Sequence, residues 1–276
     1  MTAAFRAPYP RLDEIGEDDL RPAFAAALAE HRAEVHALTL DPEPATFAGT
    51  VEALERSGDL LRRVGAVFST LVASCSTRGL REIEKEVAPQ LAAHADAVLL
   101  DPSLFARLEA VPVDGLDPED RRLLERRIRD AVRAGARLDR EQQDRLRALN
   151  AELSALSTEF SARLLAGANA AAVHVTDVAR LDGLSDDAID AAARAAVDRG
   201  YDGGYLLTLV LPTGQPALAS LTDRALREEL HTASITRGAT GDEHDTRDLV
   251  LRLAHRRAER AALLGHPHHA SWVVEV

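Results

Sequence analysis

The clearest helical pattern in this sequence is the stretch DREQQDRLRALNAELSALSTEFSARLLAG, residues 139–167. Its large apolar residues follow spacings of three and four: Leu146, Leu149, Leu153, Leu156, Phe160 and Leu164. This spacing places all six side chains on one stripe of an α-helix. Asp139 and Gln142 stand where a capping box begins a helix, and Gly167 predicts the point at which the helix ends.

Further helical patterns lie on both sides of this stretch. DDLRPAFAAALAEHRAEVHALTL, residues 18–40, predicts one helix, and residues 46–75 predict either two helices or one helix kinked at Gly58. Asp101-Pro102 and Asp117-Pro118 each combine an N-cap with a first-turn proline. Near the C-terminal end, Gly265 followed by Pro267 predicts where the last long helix stops. The sequence therefore predicts a mostly α fold.

Two short stretches interrupt the helical pattern. In residues 171–176, AAVHVT, valines alternate with a histidine, and residues 205–211, YLLTLVL, are almost wholly apolar between glycines and Pro212. Both predict strands, which we expect to pair as one small antiparallel ribbon. We predict two domains: an N-terminal helical lobe over 1–168, and the ribbon with its following helices over 169–276.

Composition excludes several classes of function. The 276 residues carry 45 acidic and 33 basic side chains, a formal net charge of −12, which argues against nucleic acid as the main partner because phosphate binding needs clustered basic residues. No stretch is apolar enough over sufficient length to span a membrane, and the first residues show no signal peptide, so we expect a cytoplasmic protein. The single cysteine, Cys75, lies in the apolar run AVFSTLVASC and is expected to be buried.

Four histidines near the C-terminal end raise the question of a metal site: His255, His266, His268 and His269. His268 and His269 are adjacent, so on a helix their side chains would diverge by about 100°. His255 with Glu259, and His31 with Glu34, have approximately one-turn spacing, but such pairs are common in charged helices. No histidine is followed by glutamate, so this sequence contains no His-Glu-x-x-His motif. We expect no catalytic, cofactor-binding or metal-binding residue here.

Many segments, in unbroken order, resemble the N-terminal half of the thimet oligopeptidase and peptidyl-dipeptidase family, and are most similar to its bacterial branch. They include RPAFAAALAEHRAEVHAL, EKEVAPQLAAHADAVLLDPSLFARL, YLLTLVLPTGQPALASLTDRALREELHTASITRG and RLAHRRAERAALLGHPHHASW. The resemblance implies a zinc metallopeptidase with a clam-like helical body that acts on short peptides. It places the zinc and its His-Glu-x-x-His helix in the C-terminal half.

The resemblance also predicts that this sequence is truncated before that motif, so that the chain alone hydrolyses no peptide. Three interpretations stay open at this stage. The chain is a non-catalytic lobe of an oligopeptidase, a free-standing module that binds peptides or proteins, or a protein whose terminal histidines bind metal. If the stripe from Leu146 to Leu164 faces an absent half, we expect self-association through that surface.

Overall fold

The computed structural model describes residues 3–210 and 214–275. These residues form a mostly helical protein, as the sequence predicts. The α-helices are α1 (Ala3–Arg6), α2 (Glu17–Leu40), α3 (Ala53–Arg56), α4 (Asp59–Cys75), α5 (Arg78–Leu99), α6 (Pro102–Glu109), α7 (Pro118–Ala134), α8 (Arg140–Ala170), α9 (Asp186–Asp198), α10 (Gly214–Ser220), α11 (Arg224–Ile235), α12 (Arg247–Leu263) and α13 (His269–Val274). A π-helical turn spans Phe47–Glu52, and 3-10 turns span Leu12–Glu14 and Val178–Leu181.

Residues 139–167, the clearest helical pattern in the sequence, form most of α8, and the predicted capping box is confirmed. The Gln142 amide donates to Asp139 Oδ1 at 2.8 Å, and the Asp139 amide donates to Gln142 Oε1 at 3.2 Å. Leu146, Leu149, Leu153 and Leu156 are buried, whereas Phe160 and Leu164 are half-buried.

The predicted stop at Gly167 is wrong, because α8 continues to Ala170. A Cβ at residue 167 would lie 3.1 Å from the Cβ of His244, which is tighter than most side-chain contacts. Glycine therefore serves close packing at this position rather than helix termination.

The other helix ends follow their caps. Asp101 and Asp117 each accept hydrogen bonds from two amides of the first turn, with a proline directly after the cap. Gly58 takes a left-handed backbone, with φ of 68°, and separates α3 from α4, so residues 46–75 form two helices. Gly265 is also left-handed, and the His266 amide donates to Ala261 O at 2.8 Å, which closes the end of α12.

The chain divides into two compact units. Unit 1 comprises 1–158 and 253–276, and unit 2 comprises 159–252. The predicted division of the chain into 1–168 and 169–276 stays a prediction.

Unit 1 contains two apolar clusters that share helix α2. The first joins α1, α2, α4 and α5, where Phe24 meets Phe68 edge to face with ring centres 5.3 Å apart. The second joins α2, the π-helical turn, α6 and α7 around Val35, Val51 and Leu124. Because α2 supplies buried residues to both clusters, it fixes the position of every helix that packs on it.

Unit 2 is built around the predicted antiparallel ribbon, which is confirmed but shorter than expected. Strands β1 (Val173–Val175) and β2 (Tyr205–Leu207) pair in the register Val173 to Leu207. The end of the predicted second strand, residue 211, lies outside the described residues. A buried apolar cluster that includes Val175, Leu207 and Leu226 packs the ribbon against neighbouring helices. Helix α10 was not predicted from the sequence.

Within the described ranges, no helix is both long enough and apolar enough to cross a membrane.

Candidate functional site

The four C-terminal histidines point to separate neighbours. His255 is exposed on α12, and Glu259, one turn away, pairs with Arg145 and with Arg256. The Nε2 atom of His266 lies 3.4 Å from Glu275. The carboxylates of Glu259 and Glu275 are therefore already paired with basic side chains of the protein.

His268 and His269 diverge in the way that their adjacency predicts. His268 is the N-cap of α13, where its Nδ1 accepts a hydrogen bond from the Ser271 amide at 3.0 Å. His269 stacks on the indole of Trp272, with ring centres 5.7 Å apart. Burial, together with the nearby Arg260 and Arg257, lowers the pKa of His269, which favours the neutral ring.

Metal-binding side chains do not converge within residues 3–210 and 214–275, where no three of His, Cys, Asp and Glu are placed to share an ion. The expectation that the whole chain lacks a metal site stays a prediction.

The interpretation of Cys75 as a buried residue is wrong: its side chain is exposed. Cys75 is the last residue of α4, where the helix leaves the apolar cluster.

The His31 and Glu34 pair is also not arranged as two metal ligands. Glu34 accepts a hydrogen bond from the Gly58 amide at 2.7 Å, so its carboxylate caps the start of α4. His31 instead joins His94 of α5, with 2.8 Å between His31 Nδ1 and His94 Nε2. On its other side, His31 Nε2 lies 3.2 Å from Ser57 Oγ.

This chain of Ser57, His31 and His94, here called the histidine relay, is a buried polar connection. His94 is only 6 % exposed, and its Nδ1 has no hydrogen-bond partner within the described part of the chain. Burial lowers the pKa of both histidines. For His31 the carboxylate of Glu34 opposes this shift and Arg62 adds to it, whereas for His94 both His31 and Arg32 add to it. Both rings are therefore neutral near pH 7.

The partner of His31 was not predicted from the sequence, although the sequence contains a signal for it. Ile83, Val87 and His94 are buried on α5 and follow helical spacings of four and seven, so the histidine occupies a core position. A histidine on an apolar stripe requires a polar partner, because an unpaired buried polar group is costly. The identity of that partner, 63 residues earlier, depends on tertiary packing.

A cavity of about 450 Å³ adjoins the histidine relay within unit 1. Its polar edge combines His31, Ser57, Arg62 and Asp130 with the ion pair between Arg127 and Glu55. Its apolar wall is formed by Leu54, Val98, Leu99, Leu104, Phe105, Leu108 and Ala131. The volume and the mixture of apolar walls with a few polar groups are typical of small-ligand cavities. The polar groups are largely paired with one another, so the cavity does not by itself select a charge.

Comparisons with known proteins relate the chain to bacterial and plant peptidases. It is 40% identical over 273 residues to a dipeptidyl carboxypeptidase of Escherichia coli, which covers 97% of this chain and 40% of that protein. It is 30% identical to an organellar oligopeptidase A of Arabidopsis thaliana, over 95% of this chain and 34% of that protein. An oligopeptidase A of Escherichia coli is 27% identical, over 98% of this chain and 41% of that protein.

The chain thus spans about two fifths of the length of the curated relatives it matches. No family model matches it. The relationship to oligopeptidases and peptidyl-dipeptidases that the sequence predicts is confirmed by these similarities.

Proposed function

We propose that this chain, which is homologous over nearly its full length to part of the dipeptidyl carboxypeptidases and oligopeptidases A, is the non-catalytic helical portion of a zinc-dependent peptidase of short peptides. The observation that carries the proposal is the 40% identity over 97% of the chain, against 40% of the Escherichia coli dipeptidyl carboxypeptidase. The relative's name supports peptides as the substrates of the assembled protein.

The chemistry of peptide hydrolysis supports assigning catalysis to the part of the relatives that this chain does not match. A catalytic zinc takes three protein ligands and leaves a position for water, which a nearby carboxylate can deprotonate. The sequence has no His-Glu-x-x-His helix. Four of its histidines have structural contacts: His268 caps a helix, His269 stacks on Trp272, and His31 and His94 form the histidine relay. Under this proposal, these residues stabilise the scaffold, and the zinc is held elsewhere in the assembled enzyme.

The structure offers the scaffold that such a role requires. Unit 1 packs α2, α4, α5, α6 and α7 around two buried apolar clusters, and the leucines of α8 are buried as far as Leu156. These contacts support folding of unit 1 without a further domain. Self-association through a surface left by an absent half remains a proposal, to be tested by light scattering of the purified chain.

Complementation tests the proposed function. The purified chain would be mixed with the portion of the Escherichia coli dipeptidyl carboxypeptidase that it does not match, and cleavage of a quenched fluorescent peptide would be followed with zinc and with a chelator. We expect chelator-sensitive cleavage by the mixture and by neither part alone. Cleavage by this chain alone would refute the non-catalytic assignment, and an unchanged elution of both parts on size exclusion would refute the assembly.

The same experiment separates this proposal from that of a free-standing binding module. A module would bind peptides with an affinity that does not change when the second part is added, and it would form no complex with that part.

We also propose a cytoplasmic location, supported by the name of one relative, a probable cytosolic oligopeptidase A of Arabidopsis thaliana. Fractionation of the source cells followed by immunoblotting would test the location.

A further inference from the structure

A second cavity in unit 1, here called the Trp272 cavity, differs from the first in its charge. It has a volume of about 390 Å³ and lies among α5, α7, α8, α12 and α13. Trp272, the only tryptophan of the chain, forms part of its wall. The apolar residues that line it are Ala92, Ala95, Leu99, Ala134, Leu146, Leu153 and Leu264.

Trp272 is held in place by two arginines. The guanidinium of Arg260 lies over the indole, 4.4 Å from the ring centre, and that of Arg133 lies 5.7 Å away. The indole Nε1 donates to Arg133 O at 3.2 Å, and Arg133 donates back to Trp272 O at 2.6 Å. The aromatic wall is therefore fixed by hydrogen bonds and stacking, so it is formed before any ligand arrives.

Positive charge exceeds negative charge around this cavity. Arg133, Arg257 and Arg260 all line it, whereas the carboxylates near them are Asp96, in the wall, and Glu275, 3.7 Å from Arg133. Counted over the residues that the structure describes, one of these three positive charges is thus left without a carboxylate. Arg257 is the exposed member and makes no ion pair or hydrogen bond within the described part of the chain.

Hydrogen-bond donors around the Trp272 cavity also outnumber the acceptors that are free to receive them. Arg260 donates one bond, to Asn150 Oδ1 at 3.2 Å, and its Nε atom is buried without a partner in the described residues. The amide of Asn150 is directed to Asp96 at 2.8 Å, so that carboxylate is occupied. Burial raises the pKa of Asp96, because the hydrogen bond from Asn150 and the nearby cations do not fully offset the loss of solvent. Ser154 and Ser157 also line the cavity.

We propose that the Trp272 cavity binds an organic carboxylate attached to a small apolar group. A monoanion matches the single uncompensated charge, and a carboxylate matches the planar donor face of a guanidinium. The apolar wall and the indole accommodate an aliphatic substituent, and the volume falls within the range of small-molecule sites. This chemistry occurs at the C-terminus of a short peptide and also in free aliphatic acids. The peptide source rests on the proposed function, whereas preference for a carboxylate does not.

Trp272 itself supplies the assay, because it is the only indole of the chain. Its fluorescence would be titrated with N-acetyl-alanyl-leucine, with the C-terminal amide of the same peptide, with 4-methylpentanoate and with inorganic phosphate. We expect saturable binding of the peptide acid and at least about tenfold weaker binding of its amide, which lacks the charge. Equal affinity for acid and amide would overturn the proposal, as would tighter binding of phosphate than of either carboxylate.

The affinity for 4-methylpentanoate shows whether the bound carboxylate comes from a peptide or from a free aliphatic acid. If 4-methylpentanoate binds as tightly as the peptide acid, the cavity takes free aliphatic acids, and the carboxylate site stands without any peptide role. If only the peptide acid binds, the ligand is a peptide C-terminus. Neither result depends on hydrolysis, so the site can fail while the proposed function stands, and the reverse also holds.

A matched pair of variants locates the site. Arg257→Gln removes the uncompensated charge from an exposed side chain, so folding is not at risk, and we expect the affinity for the peptide acid to fall about tenfold. Arg122→Gln removes an equally exposed arginine from α7, outside the cavity, and should change the affinity by less than about twofold. Equal effects of the two substitutions would show that binding is non-specific and would refute the site.

Discussion

Substitution of Gly58 tests the connection between a backbone requirement and the histidine relay. Gly58 has φ of 68°, which costs a residue with a side chain about 1–2 kcal/mol. A Cβ there would also lie 3.0 Å from Cε1 and Nδ1 of His31. That ring cannot move freely, because its two nitrogens are held by His94 at 2.8 Å and by Ser57 at 3.2 Å. Displacing the ring weakens a hydrogen bond worth about 1 kcal/mol.

Gly58→Ala should therefore lower the free energy of unfolding by about 2–3 kcal/mol. Gly65→Ala is the matched control, because Gly65 lies inside α4 with nothing within 4 Å of an added Cβ. This control should raise the free energy of unfolding by up to about 1 kcal/mol, because alanine favours the helix. Urea unfolding followed by the fluorescence of Trp272, which belongs to unit 1, measures both values. Equal stabilities for the two variants would contradict the assigned geometry of Gly58 and His31.

Three further predictions concern pH, a helix cap and unit 2. Because the pKa values of His31 and His94 are lowered in the folded state, the unfolded chain binds more protons below about pH 6.5, and the free energy of unfolding should fall between pH 7 and pH 5. Urea titrations across this range should give a smaller slope for His94→Gln than for the exposed control His36→Gln; identical slopes would remove the histidine relay from the explanation. Asp117→Ala should cost about 1 kcal/mol by uncapping α7, whereas Asp114→Ala in the preceding loop should be nearly neutral in the same unfolding assay. Gly183→Ala would place a Cβ 2.1 Å from Ser220 O and should destabilise unit 2 by about 3 kcal/mol or more. In the control Gly203→Ala, the backbone is also left-handed but nothing lies within 4 Å of the added Cβ, so the cost should be only about 1–2 kcal/mol. Hydrogen exchange of the amides of unit 2 measures both effects, and similar protection in the two variants would count against the contact between Gly183 and Ser220.

Local chemistry explains which parts of the fold could be predicted from the sequence. Helix starts at Asp117 and Asp139 depend on side chains within three residues of the amides that they cap, so the sequence contains all the information needed. The ribbon of unit 2 was predictable for the same reason, since alternating and apolar runs stand between turn residues. Gly167 misled the prediction because its role, close approach to His244, comes from a residue far along the chain.

The candidate sites depend on tertiary contacts, and the sequence could not predict them. His31 and His94 belong to different helices, and only the packing of α2 against α5 brings their rings to 2.8 Å. The Trp272 cavity likewise combines residues of α5, α7, α8, α12 and α13. Sequence reasoning weighed His268 and His269 as metal ligands, whereas the neighbouring tryptophan and the arginines of α12 form the cavity.

Product analysis would show whether this chain by itself hydrolyses peptides. The untagged chain would be incubated with zinc and a defined octapeptide, and the products would be identified by mass spectrometry with and without a chelator. We expect the octapeptide to stay intact under both conditions. Release of dipeptides or internal fragments that stops on adding the chelator would contradict it.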